Sequence, residues 1–441
     1  MTESKVQALP VEFYTRFFSE LATSRKPSPI RSLFPLERTP GLISLLAGKP
    51  NPTTFPLTSI KLTSRSPTNP GEEIVTEVNG KALAEGLQYG PSDGIPDLLN
   101  WLYGLQERSH GRKKGEGWRI SVGSGSQDVI YKTFLDLFNT GETLLVEAPV
   151  YAGVSSIFSA LRLELIEVET DAKGIVSQSL RSILENWPAG KPKPKALYTV
   201  PYGCNPTGMT AALERRKEVL ELAHVHDFLI LEDDPYYYLY FGQAPRVPSY
   251  FALELEEQNV GRVIRFDSMS KILSAGIRIG FVSGPEPILR SIDMHTGFSH
   301  LQPPSLTQTI TFSILNAWGH DGFYTHTQAV SQFYHDKRDV FETAMKKHLD
   351  GLAEWTRPEA GMFFWFKLLI GNGTDEGDSE SIIRTKAVER GVLALPGTIF
   401  FPGGKKSAYV RASFSLNTPE EVDEALRRLK LVILDARGEQ A

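Results

Sequence analysis

Residues 267–280 read DSMSKILSAGIRIG. The stretch joins two apolar runs, RVIRFD ending at Asp267 and IRIGFVSG beginning at Ile277, and both runs read as strands. Between them Lys271 stands beside Met269, Ile272 and Leu273, with no carboxylate nearer than Asp267. Arg278 follows between two isoleucines. Alone, such a lysine reads as a solvated surface residue. The surrounding chain supplies the reasons to read it otherwise.

Working outward, the region from about 76 to 330 alternates short apolar runs with longer amphipathic ones. ETLLVEA, RLELIEVE, KALYTV and FLILED read as further strands, and SQDVIYKTFLDLF and LERRKEVLELAHVH as helices. This alternation predicts an α/β fold with a mostly parallel central sheet covered on both faces. After a helical stretch near 323–349, EWTRPEAGMFFWFKL and YVRASFS read as strands and TPEEVDEALRRLKLVILDA as a helix, which predicts a smaller α+β domain. Before residue 75 the chain is rich in proline and turn residues, and an extended arm is expected. The expected organisation is therefore 1–75 as arm and part of the small domain, 76–330 as a large α/β domain, and 331–441 as the C-terminal small domain.

Composition narrows the function classes. The 441 residues hold 47 basic and 52 acidic side chains, a net charge of -5, which argues against non-specific nucleic-acid or anionic-membrane binding. Cys204 is the one cysteine, so no intramolecular disulfide forms, in keeping with a reducing compartment. No apolar run reaches membrane-spanning length. The opening MTESKVQALPVEFYTRFF lacks the apolar core of a secretory signal, and the closing GEQA is no recognised address. The cytoplasm is the expected compartment, and no metal site is expected.

Ligands of open parallel sheets bind beyond the carboxyl ends of the strands. The polar residues that follow the predicted strands are Tyr151 after TLLVEAP, Asn205 in PYGCNPTG, Asp233 and Asp234 after FLILE, and Ser268, Ser270 and Lys271 after VIRF. Singly, Asn205 reads as a turn residue, Asp233 as a loop or N-cap carboxylate, and Cys204 as a small packed side chain. In ISVGSGSQDVIYKTF a strand passes through Gly123–Ser124–Gly125 into a helix that starts near Ser126 and Gln127. Glycines permit close backbone approach, and the free N–H groups of a helix start suit an anion. The stretch lacks the third glycine of a dinucleotide loop and the lysine of a Walker loop. Arg278, expected to be buried in its apolar company, is a second phosphate candidate. A phosphate site, a carboxylate and a shielded lysine together suggest pyridoxal phosphate: burial lowers a lysine's pKa, the neutral amine forms a Schiff base, and an acid pairs with the ring nitrogen.

YGCNPTG, EDDPYYYL, SMSKILSAGIRIGF and YVRASFS resemble the fold-type I pyridoxal-phosphate aminotransferases of class I. SPIRSLFP, LISLLAGKPNPTTFP, LQYGPSDGIPDLLNWL, LEDDPYYYLYF and AGMFFWF resemble more specifically the branch of aromatic, 2-aminoadipate and kynurenine aminotransferases. The resemblance runs from about residue 13 to about 435. It implies that Lys271 binds the cofactor's aldehyde, that Asp233 pairs with the ring nitrogen, and that Tyr236 and Asn205 bond the 3-oxygen. Tyr151 would stack on the ring, and Ser126, Gln127, Ser268 and Arg278 would hold the phosphate. Tyr89 would reach the phosphate in a partner subunit, which implies a homodimer with shared active sites. Arg411 would clamp the substrate α-carboxylate, with Asn205, Gly48 and Arg31 also on the substrate side. Lys271, Asp233 and Tyr236 form the implied catalytic set.

The implied reaction moves an amino group from an amino acid to 2-oxoglutarate. Aromatic donors over a broad range are expected, since Tyr151, Phe363 and Phe364 would suit them, although these rings read equally well as core. A preference for 2-aminoadipate or kynurenine, or β-lyase chemistry on the same fold, stays open. Arg31 would suit a distal carboxylate. Lys49 stands where the branch has an apolar residue near the substrate side chain.

Overall fold

The computed structural model describes residues 6–439 except 31, 32, 34, 35, 38, 47 and 372–375. The strands among the described residues are, in chain order, β1 (Ser59–Arg65), β2 (Glu73–Asn79), β3 (Trp118–Gly123), β4 (Thr143–Ala148), β5 (Glu164–Asp171), β6 (Gly174–Ile175) and β7 (Ala196–Thr199). They continue with β8 (Leu229–Asp233), β9 (Val263–Ser268), β10 (Gly280–Pro285), β11 (Ala353–Trp355), β12 (Phe363–Leu368), β13 (Leu395–Pro396) and β14 (Tyr409–Ser413). The chain divides into two compact units, one of Met1–Thr140 with Glu254–His326 and one of Gly141–Leu253 with Thr327–Ala441. These bounds differ from the breaks expected near 75 and 330.

In the first unit β10 pairs antiparallel with both β3 and β9. The helix Ser126–Leu137 leaves β3 through Gly125, whose φ of 90° belongs to the left-handed half of backbone space that glycine enters at no steric cost. Val129, Ile130, Phe134 and Leu137 form its buried stripe. The expected arm is not extended throughout. Val11–Tyr14 and Glu20–Ser24 are helical, and β1 and β2 form a hairpin that carries the chain past residue 75. Both strands alternate exposed and less exposed positions, and Thr, Ile and Val recur in them, as a two-faced ribbon requires. The helix expected near 323–349 begins earlier: helical structure runs Ser305–Leu349, broken at Gly319 with φ 64°.

In the second unit β8, β7, β4 and β5 lie side by side and parallel, with β6 antiparallel at the edge. All five residues of β8 and all four of β7 are buried, as strands covered on both faces must be. A second sheet, β11–β12–β14–β13, is antiparallel. Phe364, Phe366, Leu368 and Val410 of this sheet share a core with Phe341, Met345 and Leu349, and with Leu426, Leu429, Val432 and Ile433 of the helix Pro419–Arg437. Thr418 and Glu421 cap that helix reciprocally, each side chain bonding the other's backbone N–H. The helix Leu213–His226 ends at Asp227 in the left-handed conformation.

Candidate active site

Each unit carries its own group of candidate residues. In the first, Lys271 is half-buried in the turn after β9, and Ser268 is the buried last residue of that strand. The turn closes through the Leu273 amide, which donates to Met269 O at 2.9 Å, and the Met269 amide, which donates to Ile279 O at 3.0 Å. Arg278 is exposed, not buried as its isoleucine neighbours suggested: its φ of 51° turns the backbone so that Ile279 goes inward and the guanidinium outward. Its Nη1 donates to Ser270 Oγ and Ala275 O, both at 3.1 Å, and its Nη2 to Ser124 O at 3.2 Å. A Cβ on Gly125 would lie 2.1 Å from Arg278 Nη2, and one on Gly280 would lie 2.2 Å from the Ser126 nitrogen. Only glycine lets the phosphate-loop candidate, the arginine and β10 come this close. Beneath the turn, Asp128 Oδ2 accepts from the Ser124 amide at 3.0 Å and from Lys132 Nζ at 2.8 Å.

Ser126 and Gln127 open the helix and are partly accessible. Tyr89 is 57% exposed. Gly48 is exposed, and a Cβ there would meet nothing within 4 Å. Lys49 pairs with Glu37 at 3.5 Å. Arg31 lies outside the described residues.

In the second unit Asp233 ends β8 and is buried. The Tyr198 hydroxyl on β7 donates to its Oδ2 at 2.5 Å. Burial holds the Tyr198, Tyr236 and Tyr151 phenols well on the neutral, proton-bearing side of their titration, and the charge of Asp233 adds to this in each case. Arg411 of β14 donates from Nη1 to Asn205 Oδ1 at 2.7 Å. Its guanidinium lies 4.2 Å from the centre of the Phe363 ring and 5.3 Å from that of Phe400. Tyr236 meets Phe363 edge to face. Phe364, considered above as a substrate contact, is instead core: it is fully buried and stacks on Phe341. It points to the opposite side of β12 from Phe363, as adjacent strand residues do.

Cys204 is buried and donates to Glu147 Oε1 at 3.3 Å, the packed side chain expected of it. Glu147 also accepts from Thr199 Oγ1 at 2.9 Å and the Val200 amide at 2.7 Å. Burial nevertheless raises its carboxyl to about 7. Tyr198, Glu147 and Phe400 were not singled out by sequence. The visible signal was a tyrosine and a glutamate inside otherwise apolar strands.

The residues fit the group the sequence suggested. A buried carboxylate among neutral phenols suits a cationic ring nitrogen. Arg411 Nε is buried and has no hydrogen-bond partner among the described residues, so a donor is left for a carboxylate. The Gly125 turn gives a helix start open to a phosphate beside an arginine. Among the described residues no group of His, Cys, Asp and Glu could hold a metal ion.

Such donors and acceptors are those of a pyridoxal-phosphate enzyme on an α/β scaffold. The family follows from direct comparison: residues 60–429 match the model of the class I and II aminotransferases, and the chain belongs to that family. It is a transaminase whose cofactor is pyridoxal 5′-phosphate. The mitochondrial kynurenine/alpha-aminoadipate aminotransferase of Rattus norvegicus is 40% identical over 437 residues, 96% of this chain and 99% of the relative. The structure of aminotransferase Aro8 from Candida albicans superimposes with a TM-score of 0.88 at 25% identity, covering 98% of this chain and all of that one. Kynurenine aminotransferase of Pyrococcus horikoshii, solved in complex with PMP, with KYN as substrates and KYA as products, superimposes with a TM-score of 0.73 at 29% identity, covering 95% and 97%. The α/β, fold-type I architecture is thus that of solved aminotransferases. No helix among the described residues is long and apolar enough to cross a membrane.

Proposed function

We propose that this aminotransferase takes amino groups from aromatic amino acids, over a broad range that extends to kynurenine and 2-aminoadipate, and passes them to 2-oxoglutarate. The carrying observation is the guanidinium of Arg411 held against the Phe363 and Phe400 rings. A carboxylate clamp walled by aromatic rings favours a flat, apolar side chain on the bound amino acid. The kynurenine and aminoadipate specificities named for the relatives support the range.

Bound to these residues, pyridoxal phosphate supplies an electron sink for the substrate's α-carbon. Lys271 Nζ takes the proton from that carbon as general base and returns a proton as general acid. Asp233 holds the positive charge at the ring nitrogen. Tyr236 and Asn205 donate to the ring's 3-oxygen, and Tyr151 covers its face. Ser126, Gln127, Ser268 and Arg278 hold the phosphate. Arg411 and Asn205 orient the α-carboxylate, with Gly48 also on the substrate side and Arg31 suited to a distal carboxylate. Tyr89 serves the phosphate of a second subunit, which makes the working enzyme a homodimer. The single buried thiol supports a cytoplasmic location.

A panel of amino acids assayed with 2-oxoglutarate, reading glutamate formed, tests the proposal. Phenylalanine, tyrosine, tryptophan and kynurenine should rank highest by kcat/KM, with 2-aminoadipate also active. Release of pyruvate and ammonia without glutamate, or a preference for small aliphatic donors, would overturn it.

A further inference from the structure

Three acidic residues stand near the ends of the two parallel strands that flank β7: Glu147 on β4, and Glu232 and Asp233 on β8. Glu232 accepts from the Tyr250 amide at 2.8 Å and the Phe251 amide at 3.1 Å, and Glu147 accepts from the Val200 amide. Bonds to backbone N–H groups are what a structural carboxylate makes. Asp233 is instead met by the phenol of a tyrosine on the central strand.

Tyr198 lies on β7, between β8 and β4, in register with Leu231 and Val146. Leu231 and Asp233 face the same side of β8, so the Tyr198 side chain extends along that face toward the strand end. Its hydroxyl meets Asp233 Oδ2 at 2.5 Å with both groups buried. Thr199, the next residue, faces the other side and donates to Glu147. The ring of Tyr198 is fixed edge to face against Phe158, with centroids 6.0 Å apart. Two residues of β7 thus serve different carboxylates on opposite faces of one sheet.

We propose that Tyr198 is a positioning residue for transamination: its hydroxyl fixes one oxygen of Asp233, holds that side chain as an anion, and so directs it at the cofactor's ring nitrogen. The inference rests on the assignment of Asp233 to that nitrogen. A phenol donating to a carboxylate stabilises the charged form, and the effect is greater away from water. The phenol itself stays protonated, since burial and the neighbouring carboxylate both oppose its ionisation. Fixing one oxygen also restricts rotation of the carboxylate, which leaves the second oxygen with a defined direction.

Tyr198→Phe removes the hydroxyl and keeps the ring against Phe158. Three readouts apply: affinity of the apo-protein for pyridoxal phosphate, the visible absorption band of the bound cofactor, and kcat and KM separately. The variant should fold normally by circular dichroism and bind the cofactor about 10-fold more weakly. It should also show a shifted absorption band and lose kcat by about 10- to 100-fold, with KM changed little. In an Asp233→Asn background the same substitution should have no further effect on the band or on affinity. Wild-type affinity, spectrum and kcat in Tyr198→Phe would overturn the positioning role, as would effects that simply add to those of Asp233→Asn. If Asp233→Asn alone leaves affinity and spectrum unchanged, the assignment of Asp233 fails instead, so the two failures are distinguishable.

Discussion

Arg411 and Asn205, 206 positions apart, are joined by a 2.7 Å hydrogen bond from Nη1 to Oδ1. The bond ties β14 to the turn after β7 and leaves Arg411 Nε buried without a partner among the described residues. Burial lowers the pKa of this guanidinium, so its positive charge calls for a compensating anion. Arg411→Lys keeps a charge and loses the planar fork. KM for the amino donor should rise by about 100-fold, with cofactor affinity unchanged. Steady-state kinetics with separate cofactor titration check this, and an unchanged KM would remove Arg411 from the carboxylate site.

The approach of β10 to the helix start makes Gly280 a second test. A Cβ there would lie 2.2 Å from the Ser126 backbone nitrogen, and backbone cannot swing aside as a side chain can. Gly280→Ala should weaken cofactor binding by at least about 10-fold by displacing the phosphate-binding N–H groups. Gly276→Ala is the control, because its Cβ would meet only Ser274 Oγ, at 3.9 Å. Equal affinities for the two variants, read by fluorescence titration of apo-protein, would contradict the phosphate assignment.

Glu147 predicts a pH dependence of stability. Its carboxyl is raised by burial to about 7, against an ordinary value of 4.5. Between these values the folded chain holds a proton that the unfolded chain has released. Stability contributed by this group is therefore full below about 4.5, falls as pH rises to about 7, and is constant above. The loss is on the order of 3 kcal/mol. Glu147→Gln removes it. Denaturant melts of both proteins between pH 4 and 8 should show the wild type losing stability relative to the variant as pH rises, and a parallel profile would refute the shift.

Much of the fold was legible because its signals are local. RVIRFD and IRIGFVSG became β9 and β10, and LERRKEVLELAHVH is helical from Leu213 to His226. Their positions just after predicted strands also single out Asp233 and Asn205 in the sequence. What escaped depends on non-local geometry. The exposure of Arg278 follows from a left-handed residue in a tight turn, which its apolar neighbours do not disclose. Phe363 and Phe364 are indistinguishable as sequence, yet one faces Arg411 and the other lies in the core. Tyr198 reaches Asp233 through the register of parallel strands 35 residues apart, and register is not written in either strand alone. The hairpin of β1 and β2 was hidden by the proline-rich composition around it.

The central claim is that Lys271, in the turn between β9 and β10, supplies the nitrogen that bonds the cofactor's aldehyde. Borohydride reduction of the holoenzyme makes that bond permanent, and proteolysis with mass spectrometry locates it. The account predicts a pyridoxyl-phosphate adduct on the peptide containing Lys271, and no adduct and no transamination in Lys271→Ala. An adduct on any other lysine, or full turnover in Lys271→Ala, would contradict it.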